Sequence, residues 1–570
     1  MMGVKMTKKW MYSKFDNDKV KSVAEQNNIS ELLARILLNR SFEDKDTIDI
    51  FLHPKIDNLY DPFLMNDMQI AVDTIIESCN NHEKITIYGD YDVDGITSVA
   101  VLKMFFADMG VEAEHYLPSR LEEGYGLNNN ALDKIAANGT KLLITVDCGI
   151  SAYEEVEYAK SLGLKVIVTD HHECPEVLPN ALAVVDAKRP DSTYPFNSLA
   201  GVGATFKLIQ AISYRLEFDR KRYLKYIDIV ALGTIADIVP LVDENRIIVN
   251  FGLILMKQTR NIGLRALMRV SGYESGDSLN STAVSFGLAP RINASGRMGK
   301  ADLALELLLE KDIDKAYKIA LELSETNKER QDVEKAIIDE ALNIIERDKL
   351  YEKDIIVVYN KNWHHGVIGI VASKITELYY KPSILISIED GIGKGSGRSV
   401  DGFDLHEALS NCTELLLKFG GHEMAIGLSI AEENLEKFTE KVEQIAKEKG
   451  TKDLQATVKV DAEISAQDIS YQTLQEIELL KPFGEANPAP IFAYKNVKVE
   501  GVRLLSNEKH LKLTLKDGTN IFDAIAFNMG NKKYSIKIGD KIDVLHSIEL
   551  NKFNGVEKIQ LNVKDIKKSL

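Results

Sequence analysis

The sequence predicts an α/β protein: two α/β lobes joined by a long helix, with a small β-barrel at the C-terminal end. Three observations carry that prediction. Short apolar runs alternate with helix-like segments between residues 84 and 185. Residues 301 to 349 are rich in Ala, Leu, Glu and Lys and hold neither Pro nor Gly, a strong helix pattern. From residue 451 onward, short runs with a two-residue period are separated by turn residues.

Length bounds the organisation. A chain of 570 residues is too long for one ordinary domain, and about three to four domains are expected. The boundaries read as an N-terminal helical segment over 1–59, a first α/β domain over 60–300, connecting helices over 301–350, a second α/β unit over 351–450 and a barrel over 451–570.

In the first α/β domain, Lys84–Tyr88, Lys141–Val146, Leu164–Val168 and Ala181–Val185 are rich in branched apolar residues. Helix-like segments such as Thr97–Met109 and Ala152–Ser161 separate several of them. That alternation predicts a parallel sheet with helices on both faces. The stretch 301–349 is either one connecting helix or a helical pair. A second α/β unit begins at Asp354-Ile-Ile-Val-Val-Tyr359. The runs Thr457–Val460, Val497–Glu500, His510–Leu515 and Ile542–Val544, with Asp517-Gly518 as a turn, suggest an OB-fold.

Composition narrows the setting. No apolar stretch reaches the ~20 residues that span a membrane, so no membrane partner is expected. Met1–Trp10 is positively charged but has no apolar core behind it, so a secretory signal is not expected. Cys79, Cys148, Cys174 and Cys412 form no C-x-x-C pair, which points to a reducing cytoplasm. The net charge of −16 argues against a nucleic-acid partner when taken alone. The distribution changes that view. Residues 451–570 hold 18 Lys+Arg and 16 Asp+Glu, so the excess of acid lies wholly in the first 450.

The chemistry gathers at strand ends. The first run leads into Tyr88-Gly-Asp-Tyr-Asp-Val-Asp-Gly95, which places Asp90, Asp92 and Asp94 together. Three carboxylates that close repel one another unless a cation sits among them, and a divalent metal suits best. The second run ends at Asp147-Cys148-Gly149 and the third at Asp170-His171-His172. In a parallel sheet such ends lie side by side, where open α/β sheets bind ligands. Mixed carboxylate and imidazole donors favour Mn²⁺ or Mg²⁺ over a pure zinc site. Asp147 alone reads as a helix N-cap and the His pair as loop surface, and a rival reading joins Cys148 and Cys174 to the His pair as a zinc site, though the spacings match no common zinc module. The joint occurrence at three strand ends favours a metal centre.

Asp90-Tyr-Asp-Val-Asp-Gly95, Val146-Asp-Cys-Gly149 and Asp170-His-His172 resemble successive motifs of the DHH phosphoesterase family. Ala231-Leu-Gly-Thr-Ile-Ala-Asp-Ile-Val-Pro240, by itself an amphipathic helix end, resembles its fourth motif, whose acid matches Asp237. The likeness extends through Ala289-Pro-Arg-Ile-Asn-Ala-Ser-Gly-Arg297, Trp363-His364, Gly366-Val-Ile-Gly-Ile-Val-Ala372, Gly395-Ser-Gly-Arg-Ser399 and Gly420-Gly-His422, and is strongest to the family's single-stranded-DNA exonucleases. One departure is His365, where the family's pattern carries Pro.

The resemblance implies a DHH catalytic domain, a DHHA1-type second lobe and two divalent ions, Mn or Mg. Their implied ligands are Asp92, Asp94, Asp147, His171 and Asp237, with Asp90 and His172 close by. Asp147, His171 and His172 are the implied catalytic residues, His172 orienting a phosphate oxygen, assisting proton transfer or simply bonding a ligand carboxylate. Arg120, Arg291, Arg297, Ser396 and Arg398 are implied to grip a terminal 5′-phosphate, and His364 and His422 to touch the strand.

Other stretches carry their own readings. In Gly391-Ile-Gly-Lys-Gly-Ser-Gly-Arg398, alternating Gly lets backbone N–H groups approach an anion, unless the segment is a hairpin tip. Ala200-Gly-Val-Gly203 reads as close helix packing rather than a dinucleotide site. Lys509, Lys512, Lys516, Lys532, Lys533, Lys537 and Lys541 lie among Phe522, Phe527 and Tyr534, a composition that suits single-strand binding or a solvated face.

The expected function is a metal-dependent 5′→3′ exonuclease that releases 5′-mononucleotides from single-stranded DNA during recombination and repair. Helicase and single-strand-binding protein partners are implied with it. The alternatives are a phosphodiesterase for oligoribonucleotides or cyclic dinucleotides, and a non-catalytic scaffold.

Overall fold

The computed structural model describes residues 8–120, 123–124, 126–276, 278–451, 454–530, 536–553 and 556–569. Strand β1 (Lys9–Tyr12) opens the chain, followed by helices Asn17–Asn27, Glu31–Asn39 and Lys45–Leu52. Asp16, Ser30 and Asp44 cap these helices by accepting hydrogen bonds from backbone N–H groups of the first turn. Val20, Leu33, Leu37 and Phe51 share one apolar core with Leu480, Phe492 and Val499 of the C-terminal region. The N-terminal helices therefore pack on the barrel rather than standing alone.

The first sheet contains β2 (Ile85–Tyr88), β3 (Ala113–Tyr116), β4 (Leu142–Val146), β5 (Lys165–Thr169) and β6 (Ala183–Val185). All pair in parallel, in the order β3-β2-β4-β5-β6. Helices cover both faces, so β2 and β4 are wholly buried and read as unbroken apolar runs. Strand β3 escapes the sequence reading because it is a polar edge strand, Ala-Glu-His-Tyr. The chain order reverses between β2 and β4, and ligands of open sheets bind at such a switch point.

The connecting segment is a helical pair, Ala301–Leu309 and Ile313–Arg347, with Asp312 capping the second. The second lobe holds β7 (Ile356–Lys361), β8 (Ser383–Glu389), β9 (Ile392–Arg398), β10 (Leu416–His422) and β11 (Ala425–Ala431). Their order is β10-β11-β9-β8-β7, and only β7 and β8 run parallel.

In the C-terminal region come β12 (Thr457–Val460), β13 (Ala462–Glu463), β14 (Phe492–Leu505), β15 (His510–Asp517), β16 (Asn520–Ala526), β17 (Lys541–Phe553) and β18 (Val556–Lys568). Strands β14-β15-β16-β18-β17 close into a barrel as β17 returns to β14, with β16 and β18 parallel. That is an OB-type closure. Strand β1 pairs in parallel with β12 and so ties the chain's start to this region.

Arg246 fastens these parts together. Its guanidinium is fully buried and donates to the carbonyls of Phe51, Leu479, Leu480 and Lys481 at 2.7–2.9 Å. It also lies 3.9 Å over the Phe51 ring. Replacing Arg246 with Leu strands four buried carbonyls, and a loss of at least about 3 kcal/mol is expected. Thermal melting checks this; an unchanged midpoint refutes it.

Candidate active site

Four backbone elements aim their ends at one point. Asp92 caps the helix Val93–Asp108, its Oδ1 accepting from the N–H groups of Asp94 at 2.8 Å and Gly95 at 3.1 Å. Asp94, in the first turn, is buried and accepts from Gly201 N at 2.7 Å and Val202 N at 2.8 Å. Those donors are the free N–H groups at the start of the helix Gly201–Arg215. Gly201 is obligatory there, since an added Cβ would lie 2.4 Å from Asp147 Oδ1. The stretch read as close packing is thus a clamp on Asp94, and backbone donors leave no side-chain pattern to read.

Asp147 follows β4 in the left-handed region at φ 59°, which Asp tolerates. It is not a helix cap; the next helix begins only at Tyr153. Asp170, after β5, accepts from Ile150 N at 2.8 Å and His171 N at 2.8 Å, and pairs with His172 Nδ1 at 2.7 Å. Asp237 ends the helix Ile227–Ala236.

His171 stands at the centre. Its Nε2 lies 3.1 Å from Asp147 Oδ1, 3.7 Å from Asp237 Oδ2 and 3.9 Å from Asp94 Oδ2, yet makes no hydrogen bond. Asp90 Oδ1 is likewise buried without a bond. Three sets of potential ligands gather within 4.8 Å: Asp147, His171 and His172; Asp94, His171 and Asp237; Asp90, Asp92 and Asp147. Every metal-set residue named from the sequence is present, and among the described residues no Cys joins a set, which sets aside Cys148 and Cys174 as ligands.

The electrostatics suit a cation. Burial and Asp92 push Asp90 up to about 8 and Asp94 up to about 7. Burial and Asp94 push Asp237 up to about 9 and hold Asp147 well above the usual range. Burial and the charge of His172 bring His171 down to about 4, so its ring is neutral and offers a lone pair. A hydrogen bond to the Leu199 backbone orients that ring. Orphaned donor atoms, neutral imidazole and mutually repelling carboxylates are what a divalent-ion site requires.

Beside this centre, a cavity of about 240 Å³ is lined by Tyr91, Asp92, Asp94, Arg120, Asp237, Ile238, Asn293 and Arg297, among others. Arg120 lies 5.2 Å over the Tyr91 ring. Burial, with the charges of Arg120, Arg330 and Arg398, brings Arg297 down to about 10. Burial and Arg120 also lower Arg398. Arg398 bonds Ser396 Oγ at 3.1 Å, and Arg297 bonds Gly366 O at 3.0 Å. His364 Nδ1 is buried without a partner, with burial and Arg120 among the causes that lower its ring. Clustered guanidinium groups of this kind call for an anion. Nothing in the sequence singles out Asn293 or Tyr91; the Oδ1 of Asn293 accepts from Val93 N at 3.3 Å, bracing the acidic loop.

Several expectations need correction. Arg291 stands apart from the Arg120, Arg297 and Arg398 cluster: burial lowers it against the pull of Tyr273, and it bonds Ser324 Oγ at 2.9 Å and the Gly287 carbonyl, tying its helix to Ile313–Arg347. Gly393, Gly395 and Gly397 do not cradle an anion. Their strand β9 is paired on both sides, and an added Cβ would strike Ile386, Ile430, Leu428, Ile426 or Leu405 at 2.8–3.0 Å. The alternation flattens one face for apolar packing, leaving Ser396 and Arg398 to face the cleft helix near Gly369. Trp363 is packed, donating to Glu340 at 2.8 Å. His422 ends β10, exposed, in one cross-strand row with Ala425 and Arg398. Two strand spacings place it about 10 Å from Arg398. His365 is the first residue of the helix His365–Tyr379, the position that favours Pro.

On the barrel, Lys512 and Lys516 share the outer face of β15, opposite Arg503 and Lys498 of β14. Phe522 does not interleave with them; it faces the core and meets Tyr494 edge-on. Phe527 is exposed beside His510. Lys532, Lys533 and Tyr534 lie outside the described residues.

Comparison with known proteins follows this architecture. Residues 84–234 match the DHH family N-terminal domain, 352–448 the DHHA1 domain and 460–565 the RecJ OB domain. The single-stranded-DNA-specific exonuclease RecJ of Bacillus subtilis is 40% identical over 569 residues, 99% of this chain and 71% of that protein. The chain belongs to the RecJ family. The RecJ of Haemophilus influenzae is 33% identical, with 93% of this chain and 95% of that protein covered. A solved structure of RecJ in complex with Mn²⁺ from Thermus thermophilus superimposes with a TM-score of 0.85 at 29% identity, covering 99% of this chain and 80% of that one. The RecJ likeness therefore spans both lobes and the barrel, and among the described residues no helix is long and apolar enough to cross a membrane.

Proposed function

We propose that this protein is a metal-dependent 5′→3′ exonuclease that hydrolyses single-stranded DNA to 5′-mononucleotides. One observation carries the reading: the unpartnered His171 Nε2 among three carboxylates, beside an arginine-lined cavity, in a chain of this family. Asp90, Asp92, Asp94, Asp147, His171 and Asp237 would hold two divalent ions, Mn²⁺ or Mg²⁺. Such a pair supplies an activated water and offsets charge on the phosphoryl oxygens.

The chain's own groups do the rest. Arg120, Arg297, Arg398 and Ser396 take the terminal 5′-phosphate, which sets the first linkage beside the acidic cluster. His364 lies with them through its unpartnered Nδ1. Burial works against a charged His172, but its hydrogen bond to Asp170 and that carboxylate's charge prevail and raise its pKa. A protonated His172 suits donation to a phosphate oxygen. His422 and the lysine face of β15 extend the path along the strand. That path speaks for a long substrate over a dinucleotide. Recombination and repair in the cytoplasm, with a helicase and a single-strand-binding protein to deliver the strand, complete the proposal.

The test is a polarity assay on end-labelled single and double strands with and without Mn²⁺. Release of labelled mononucleotide from 5′ ends of single strands, only with metal, is expected; digestion from 3′ ends overturns the reading. In the same assay, Arg398→Gln should lower kcat/KM on 5′-phosphorylated strands about 10- to 100-fold, the worth of a charge-assisted bond to phosphate. On 5′-hydroxyl strands the loss should be much smaller; equal losses would remove Arg398 from the grip.

A further inference from the structure

Ile238 sits where its residue type is costly. It follows Asp237 at the end of the helix Ile227–Ala236, with φ 61° and 69% of its surface exposed. Left-handed backbone at a position just past a helix is ordinarily taken by Gly or Asn, and for a β-branched residue it is a strained outlier. If the turn alone mattered, glycine would serve it better. What Ile adds is apolar surface, and that surface opens into the cavity between the arginines and the acidic cluster.

The remaining wall explains what the surface is for. Asp92, Asp94, Arg120, Asp237, Asn293 and Arg297 are polar or charged. Val93 is buried, and the Tyr91 ring is occupied by Arg120. Ile238 is thus the large apolar side chain left open among the described lining residues. A terminal nucleotide held between the arginines and the acids has one apolar part, the face of its base. We infer that Ile238 is the surface against which the base of the 5′-terminal nucleotide rests. The inference rests on the exonuclease reading above. An aliphatic contact reads no base edge, so it holds any base alike. It also needs a base free of its stack, which a duplex end does not offer.

The test compares two 5′-phosphorylated single strands with Mn²⁺, one ending in thymidine and one in an abasic tetrahydrofuran residue. Removal of the first residue is measured as kcat/KM. The wild-type protein should favour the thymidine end by about fivefold, the worth of a modest apolar contact. Ile238→Gly and Ile238→Asn, both suited to the left-handed turn, should bring that ratio close to one. Ile238→Val should keep it. The Gly variant should melt at or above the wild-type temperature, which separates the loss from misfolding. An unchanged ratio in both the Gly and Asn variants, or no preference in the wild type, overturns the inference. A wild-type protein that shortens neither strand would overturn the exonuclease reading itself.

Discussion

Replacing Asp147 with Ala is expected to abolish metal-dependent hydrolysis while leaving the fold intact. Asp147 belongs to two of the three ligand sets, one with His171 and His172 and one with Asp90 and Asp92. Losing it damages both ends of the metal centre at once. Metal-assisted phosphodiester cleavage takes several kcal/mol from such a centre, so a fall of at least about 10³-fold in rate is expected. Stability should hardly move. The carboxyl is buried among like charges, and burial with Asp94 holds its pKa well above the usual carboxylate range. Its removal leaves a small gap beside Gly201 and relieves the neighbouring acids. The metal-free variant should melt within a few degrees of the wild type, since relief of the neighbouring acids offsets the cost of Ala in the left-handed turn, and calorimetry should show weaker Mn²⁺ binding. Mn²⁺-dependent activity within about tenfold of wild type would exclude this centre.

How far the sequence discloses this site depends on what kind of group does the work. Buried parallel strands are unbroken apolar runs, so β2, β4 and β5 and the acids at their ends are legible. Strand β3 is not, because an edge strand can be polar. Asp237 comes from a helix end and has no strand to announce it; only resemblance points there. Gly201 and Val202 act through backbone N–H groups, and no residue type encodes that. The glycines of β9 show the converse. Their alternation is visible, but it serves packing against Ile386 and Leu428, since the ladder already uses the N–H groups on both sides. Arg291 is chemically apt for phosphate and is spent on Ser324 instead. The left-handed backbone of Ile238 is invisible in a motif where neighbouring apolar residues look like helix packing.

Stability of the metal-free protein should fall as pH rises from 6 to 9, and Mn²⁺ should reverse that trend. In the unfolded chain the four aspartates ionise near pH 4. In the fold, burial and neighbouring acids push Asp94 up to about 7, Asp90 up to about 8 and Asp237 up to about 9, and hold Asp147 well above the ordinary range. Between those limits the unfolded state binds fewer protons than the native one. The stability these groups contribute is complete below pH 4 and is lost as pH climbs through the folded values. Each carboxyl still protonated in the fold removes about 1.4 kcal/mol per pH unit. His171, at about 4 in the fold, is neutral throughout this window, but its unfolded ring still takes up a proton below about pH 7, so it opposes the fall at the acid end and adds nothing above about pH 8. Metal needs the ionised forms, so at low pH it must displace protons and at high pH it need not. The rise in melting temperature on adding saturating Mn²⁺ should therefore grow with pH. Asp147→Asn keeps the shape and removes one acid, so it should flatten the metal-free slope. Melting curves at pH 6, 7, 8 and 9, with EDTA or Mn²⁺, decide the matter. A metal increment that stays constant across that range would mean these carboxyls are already ionised, and the case for a proton-competed metal centre would fall.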